Sequence, residues 1–537
     1  MQRILILLVF MLAFSAKAQI NAEIFEDGDP YDARVFSDSL QLSEFVTDLQ
    51  LSWINKGYFF SGVDSINVSS QTIRIYLHKG DMMNARFEGF KGKNLDKHLQ
   101  RELSSYANRG YPFASFELDS LKFLNKNTLA GKIRITSGPE IIYDSAFFFT
   151  KPKTSTSYIY QLLDMVPGDL FSEKNHKEIS RKIERSPFLL INRPPDLSFK
   201  KNRAITFLDI KEEASSTFQG VVGLQQGSEG RTTAVGSVEL DIQNLFRSGK
   251  QFKFSWESFS ESSQELNVYY KHPFFLDSKL SPSFRFELLK QDTTFLTRLV
   301  GIGIHTFISP RTQLFLEYER TGGTLLSTDI ELLSISGLAD FTRTNYLIQF
   351  SRGVFSSLGK FKKAMAWNIS SAVGRKSIDR NLNLPDSYYD TIQFQTNAYR
   401  LEGHIAYQLP VLKRQAFFHS VRVGVLENDE LLRNELYRIG GLRSLRGFNE
   451  KSIFAEQFLL SRFEFRSFFE NNSYAYVLYD QLVYSGSLSD QPFGVGLGFA
   501  LATSSGQFSF ALAVGKSIDQ AISFSTMKAH FGYVAKF

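Results

Sequence analysis

Side chains spaced for bond chemistry are scarce in this sequence. Gly-x-Ser-x-Gly, the strained turn that exposes a nucleophilic serine, is absent, so a fused esterase has no support. The eight histidines are dispersed, without His-Glu-x-x-His or any paired spacing that could hold a metal. Gly89-Phe90-Lys91-Gly92-Lys93 is too short for a phosphate-binding loop and reads as a surface turn. We expect no cofactor and no enzymatic step, so any work must come from binding and membrane distortion. What the spacing does offer is charge in register. From Phe458 to Phe468 the even positions include Arg462, Glu464 and Arg466, and the odd ones Leu459, Ser461, Phe463 and Phe465. On a strand these are opposite faces. On a lipid-facing surface a charge costs about 2–4 kcal/mol at mid-membrane, so in a membrane strand this row would have to face a wet interior.

The elements that would carry such a row fill the second part of the chain. From about residue 214 onward, segments of roughly ten alternating residues are separated by Gly, Asn, Ser, Asp and Pro, the signature of a transmembrane β-barrel. In the last segment Ala529, Phe531, Tyr533, Ala535 and Phe537 share one face, and Lys528, His530, Gly532 and Lys536 the other. Phe493, Val495, Leu497, Phe499 and Leu501 alternate with Gly494, Gly496, Gly498, Ala500 and Ala502. A soluble β-sandwich also alternates, but its polar face would carry larger polar groups than a glycine stripe, and it leaves the terminal aromatic unexplained. The 52 Phe and 22 Tyr against 3 Trp fit aromatic lipid faces and girdles. At roughly 20 residues per strand and connection, the residues after 213 make about 16 strands, an even number as bacterial barrels require.

Residues 20–213 mix helical and strand periods in three units of about 60 to 70 residues, a domain repeat rather than a solenoid. The first has a helix over Leu40 to Lys56, a strand opening at Gly57-Tyr58-Phe59-Phe60 and another over Thr72 to Leu77. The second has a strand at Ala85-Arg86-Phe87, a helix from Leu95 to Asn108, a turn at Gly110-Tyr111 and a strand over Gly131 to Thr136. The third has Tyr158 to Met165, Pro167-Gly168-Asp169, a second helix around Ser172 to Arg185 and a strand over Ala204 to Ile210. Ahead of them Arg3, the apolar run Ile4 to Phe14 and Ala16-Lys17-Ala18 read as a secretory signal peptide with the mature chain starting at Gln19. That run is about half the ~20 residues a membrane-spanning helix needs. The cysteine count is zero, which excludes a lipid-anchored lipoprotein, and the net charge of +6 is scattered, leaving no nucleic-acid footprint.

The three units resemble POTRA domains, the periplasmic modules of the outer-membrane insertase and transporter superfamily that includes BamA, TamA and the two-partner secretion transporters. Gly57-Tyr58, Gly110-Tyr111 and the Pro-Gly-Asp of the third unit carry that likeness. In the barrel, Gly440-Gly441-Leu442-Arg443-Ser444-Leu445-Arg446-Gly447-Phe448 resembles the superfamily's Arg-Gly-Phe/Tyr motif at the tip of a long sixth extracellular loop that folds back into the lumen. Glu464 and Asp480 stand where the family keeps lumenal acids, and Asp241 to Phe246 and His272-Pro273 fit the barrel's beginning. The resemblance implies a signal peptide over 1–18, POTRA-like units over 19–80, 81–138 and 139–213, and a barrel over 214–537. A loop arginine in the lumen would find Glu464 and Asp480 as partners for its planar fork. Gly447 would let the backbone turn and Phe448 would anchor it.

With three units the layout is closest to TamA. The function this implies is assembly or translocation of unfolded outer-membrane or secreted client proteins, received on the POTRA units by strand addition and released through a barrel seam into outer-membrane lipid, with a periplasm-spanning partner of TamB type. A two-partner secretion transporter is the rival, but such proteins usually have two POTRA units and a plug helix, which residues 20–38 do not resemble. A passive porin leaves nearly 200 N-terminal residues idle. The seam should join a first strand near Phe218 to Gln225 with the last, Lys528 to Phe537. Gly220, Gly223 and Gly532 give no side chains to it, which would weaken this junction enough to serve as a lateral gate.

Overall fold

The computed structural model describes residues 20–536 apart from 70–71, 89, 91–94, 227–231, 260–261, 310, 330–332, 334–336, 354, 356–358, 471, 487–488 and 504–505. Residues 1–19, where the signal peptide is expected, most of the expected surface turn Gly89 to Lys93, and Phe537 lie outside the described residues.

Small α+β domains precede the barrel. The first sheet has the order β2-β1-β4-β3, built from β1 (Ile20–Glu26), β2 (Asp29–Phe36), β3 (Gly62–Val68) and β4 (Ile73–His78), with α1 (Ser39–Asn55) after β2. Asp38 caps α1 by accepting the Gln41 N–H at 2.8 Å. Leu42, Leu49 and Trp53 of α1 pack on Ile24, Ile73, Ile75 and Leu77 of the sheet. Gly57 does not open a strand. It ends α1 in a left-handed turn at φ 101°, with Gly57 N–H on the Ile54 carbonyl and Tyr58 N–H on that of Trp53, both at 3.0 Å. The second sheet, β5-β7-β6, contains β5 (Asn84–Glu88), β6 (Ser115–Asn125) and β7 (Thr128–Thr136), with α2 (Leu95–Ala107) between β5 and β6. Gly110, φ 97°, repeats the turn, and Tyr111 N–H reaches the Tyr106 carbonyl at 3.0 Å. The Gly-Tyr pairs are therefore helix stops.

Next come β8 (Ile142–Phe148), α3 (Thr156–Leu163), α4 (Glu173–Lys177), α5 (Ile179–Ile183), β9 (Leu189–Ile191), β10 (Asp196–Lys200), β11 (Arg203–Leu208) and β12 (Ile210–Glu212). They give a β10-β11-β8 sheet and a β12-β9 pair. The helix expected around Ser172 to Arg185 is thus two short ones. The described chain divides into two compact units through this region: 20–145, 167–177 and 197–205 form one, and 146–166, 178–196 and 206–536 the other.

The barrel closes with sixteen strands, all antiparallel to their neighbours. They are β13 (Thr217–Gln226), β14 (Thr232–Leu245), β15 (Lys250–Ser258), β16 (Gln264–Lys271), β17 (Ser281–Gln291), β18 (Phe295–Ser309), β19 (Thr312–Leu325), β20 (Asp340–Arg352), β21 (Ala364–Asp379), β22 (Gln395–Leu412) and β23 (Gln415–Glu427). The loop 428–456 carries its own small hairpin, β24 (Tyr437–Ile439) with β25 (Ile453–Ala455). The barrel then continues with β26 (Gln457–Glu470), β27 (Ser473–Ser485), β28 (Phe493–Ala502), β29 (Gly506–Lys516) and β30 (Lys528–Lys536). The alternation sorts faces as lipid and lumen demand. On β20, Tyr346, Ile348 and Phe350 are exposed, whereas Arg343, Asn345 and Leu347 are buried.

Within the second unit, residues 154–166 and 178–185 meet three connections at one end of the barrel, the domain-side end. Ser155 N–H donates to the Arg247 carbonyl at 2.8 Å, Asn244 to Thr154 at 2.8 Å, and Arg311 pairs with Glu184 at 2.9 Å. Asp164 takes Lys182 at 2.6 Å and, from the 272–280 connection, Lys279 at 2.9 Å. Burial pushes the Asp164 carboxyl up, but the two ammonium groups outweigh it and hold it below its ordinary 3.8. A depressed carboxylate contributes stability that is present above its ordinary pKa and lost as pH falls through the folded value. Lowering pH below about 3.8 should therefore loosen residues 146–166 from the barrel connections. Asp164→Asn should do so at neutral pH by about 1.5–3 kcal/mol, the worth of hydrogen bonds to charged groups, read as faster proteolysis of 146–213 with the barrel still heat-modifiable.

Candidate functional site

Strand register builds the site in the lumen. Ala406 pairs with Ser420, Ser420 with Arg462, Arg462 with Asp480, Asp480 with Gly494, and Gly494 with Gly515. One row toward the domain-side end, Gln408, Phe418, Glu464, Leu478, Gly496 and Ala513 follow one another across the same strands. The acids of β26 and β27 thus stand one row apart, and two paired glycines continue the upper row.

The tip of loop 428–456 lies on this wall. Arg446 is only 1% exposed. Its Nε and Nη2 donate to the two oxygens of Asp480 at 2.7 and 2.6 Å, and its Nη1 to Glu464 Oε1 at 2.6 Å. Its backbone N–H adds a bond to Asp480 at 3.1 Å. A fork held by two carboxylates in this way is the strong, planar recognition that lysine cannot supply. The Tyr476 ring lies 5.7 Å from the guanidinium carbon. Arg462 donates to the carbonyls of Arg443 and Leu442 at 3.1 and 3.4 Å, steadying the loop backbone.

Glycines make the close approach possible. Gly447 has φ 91°, and a Cβ there would sit 2.7 Å from the Gly515 nitrogen. A Cβ on Gly494 would overlap the Arg446 carbonyl oxygen, and one on Gly515 would come 2.5 Å from the Phe448 ring. Phe448 and Leu445 join Ile439, Leu460 and Leu482 in a buried cluster. Gln520, from the β29–β30 connection, donates to the Gly447 and Gly515 carbonyls at 3.3 and 3.0 Å.

The loop also reaches the wall on the other side of the β13–β30 junction. Arg443 pairs with Glu239 of β14 at 2.7 Å, and Lys451 with Glu257 of β15 and Glu265 of β16 at 2.8 and 2.5 Å. Nearer its start, Glu435 is buried between Lys376 and Arg343 at 2.5 and 2.8 Å. Arg446, Gly447, Phe448, Glu464 and Asp480 are therefore brought together. The sequence reading gave Gly494, Gly515, Arg443, Lys451 and Gln520 no part in this site. Gly494 was visible as part of a glycine stripe, but its pairing with Gly515 depends on a register that one sequence does not display.

The seam is a separate place. Among the described residues β13 and β30 pair at Thr217–Lys536, Phe218–Ala535, Gln219–Val534 and Gly220–Tyr533, four residue pairs at the domain-side end. By contrast β13 pairs with β14 at ten positions and β29 with β30 at eight. Gly220 is thus the last ladder position of the seam. Gly223 pairs with Val235 and Gly532 with Ser509, on the strands to either side, and neither takes part in a described seam pair, because the ladder stops before it reaches them.

Arg446→Ala leaves two buried acids without their shared cation, a loss of about 3–5 kcal/mol for a broken buried pair, less where water enters. Gly494→Ala should produce the same lifted loop with the arginine intact. Both are read as faster protease cleavage within 428–456 in an inserted, heat-modifiable barrel; wild-type cleavage rates in both would refute this seating.

No family model matches the chain, and no curated protein is significantly similar to it. Among solved structures it is similar to CdiB from Escherichia coli, with TM-score 0.54, 13% identity, and 98% of this chain and 92% of that one covered. CdiB from Acinetobacter baumannii gives TM-score 0.54 and 13% identity over 98% of this chain and 91% of that one. BamA from Haemophilus ducreyi lacking POTRA domains 1–3 gives 0.46 and 14% over 83% and 95%; the likeness of fold rests on the first two. This chain shares its fold, small α+β domains followed by a closed barrel of sixteen strands, with the two CdiB structures.

Proposed function

We propose that this protein receives unfolded client proteins on its N-terminal POTRA-like domains in the periplasm and passes them into or across the outer membrane, where its barrel opens laterally between β13 and β30. The observation that carries this reading is the uneven ladder of the seam: among the described residues, four pairs where the adjoining strands have ten and eight. An unpaired backbone group in lipid finds no water and costs several kcal/mol, so the unmatched length of both strands favours pairing with an incoming strand. Arg446, Gly447 and Phe448, seated on Asp480 and Glu464, would hold the lumen closed and the wall in register while no client is present.

Client capture has a candidate surface of its own. β6 is an edge strand of eleven residues that exposes Phe116, Leu118, Leu121, Phe123 and Leu124. Long apolar edges are ordinarily blunted because they template pairing with another chain, and here such pairing would be the function, by strand addition. Two-partner secretion, with one dedicated substrate leaving through the lumen, is the second reading. Against it, residues 20–36 form the β1–β2 hairpin rather than a plug helix.

The chain has no cysteine, so Gln219→Cys with Val534→Cys can lock the seam at a paired position. Cross-linking should stop client assembly, and reductant should restore it; full activity in a quantitatively locked barrel excludes lateral opening. Removing residues 20–213 should leave an inserted barrel without client activity. Depletion followed by an outer-membrane proteome separates the two readings, since an insertase loses many barrels and a dedicated transporter one substrate.

A further inference from the structure

The lumen is obstructed at the domain-side end as well. Between β20 and β21 the chain does more than reverse direction. The Phe355 ring is stacked on His404, centroids 4.3 Å apart and planes within 10°, and it packs with Ala366, Ala406 and Phe418. Phe361 lies against Phe468, with centroids 5.2 Å apart. These partners face the lumen, since the alternating neighbours Ile405, Tyr407, Phe417 and Phe469 are exposed on the lipid side. Two aromatic side chains of this connection therefore sit inside the barrel. The exposed lysines Lys360, Lys362 and Lys363 flank Phe361, an amphipathic arrangement that keeps the ring in and the charges in water.

The segment is also tied to the loop that enters from the other end. Gln408, 1% exposed, donates through Nε2 to the carbonyls of Lys360 and Lys362, the latter at 3.2 Å. Its Oε1 accepts from Arg466 Nη1 at 2.6 Å. Arg466 in turn holds Glu464 Oε2 through Nε at 2.8 Å and Nη2 at 2.7 Å, and the other oxygen of Glu464 accepts from Arg446. Four buried side chains thus make an unbroken polar path from the loop tip to the backbone of residues 360–362.

We propose that Phe355 and residues 359–363 form a second stopper of the lumen, and that Gln408 and Arg466 are positioning residues that couple its seating to that of Arg446. Coupling follows from satisfaction of buried polar groups: lifting either end leaves a buried donor or acceptor in the path without its partner. By linkage the effect is reciprocal, so release of the loop weakens the stopper and release of the stopper weakens the loop. Both closures belong to the barrel itself, and neither depends on the handling of clients proposed above.

The test uses the purified full chain in lipid nanodiscs with Ala406→Cys, placed under Phe355 in a cysteine-free background, or Ser420→Cys on the paired strand position if the first fails to insert. A membrane-impermeant maleimide should label it slowly. Adding Phe355→Ala with Phe361→Ala should raise the rate about ten-fold or more, equivalent to about 1.4 kcal/mol of local opening. Gln408→Leu and, at the far end of the path, Arg446→Ala should raise it as well, with heat-modifiability showing an intact barrel. Unchanged labelling in the double phenylalanine variant, or rapid labelling before any change, overturns the stopper. Faster labelling in that variant with a wild-type rate in Gln408→Leu and Arg446→Ala overturns the coupling.

Discussion

A guanidinium enclosed in a membrane protein must be matched by anions at the place where it stops, and Arg446 meets two. Much of the lumen follows from that requirement. Asp480 and Glu464 must lie one row apart on adjacent strands for a single planar fork to reach both, which fixes the register of β26 against β27. The backbone carrying the arginine must then lie almost on the wall, which requires glycine at Gly494 and Gly515 where any Cβ would collide. Glu464, holding Arg466 as well as Arg446, becomes the node through which the two ends of the lumen share hydrogen bonds. A buried ion pair is weak evidence for stability; its value here is that it specifies one arrangement of a long loop.

The sequence made part of this legible. Period-two alternation survives translation into structure because lipid and lumen impose opposite chemistries on successive residues, so the row Arg462, Glu464, Arg466 and the aromatic lipid faces could be read directly. Strand number followed from length. The resemblance supplied Arg446 and its acids, which geometry brings together. Less visible was anything that depends on register or on chain reversal. The strands β2 and β6 carry weak alternation: both are exposed on nearly every residue, so no face is selected for burial and no period is written. Gly57 and Phe60 read as strand because aromatic residues follow, but a glycine at positive φ after a helix is a stop signal. The seam shows the same limit from the other side. Glycines in the terminal strands were visible, yet only Gly220 falls in the ladder, since the length of pairing between chain ends is set by barrel closure and not by either strand alone.

Loop 428–456 spans the lumen. It is seated on β26 to β29 by Arg446 and Phe448, and bound to β14, β15 and β16 by Arg443 and Lys451. These are the strands on either side of the seam. The two flanks are consequently joined through the interior as well as through the four pairs in the wall. A wall with a short ladder can remain closed because a second, polar connection lies behind it, and the strength of that connection is adjustable by charge without touching the lipid face.

The short ladder between β13 and β30 also bears on how the molecule comes to exist. Every other strand of the barrel but one pairs with its neighbour in sequence across a brief connection, whereas Thr217 must find Lys536 at the far end of the chain. Contacts so distant in sequence carry the largest loop-closure entropy and form late, and this one is rewarded by few hydrogen bonds. Closure is the step that removes the barrel's last two free edges, and until it occurs the protein's own terminal strands are as hungry for a partner as those of any protein it would assist.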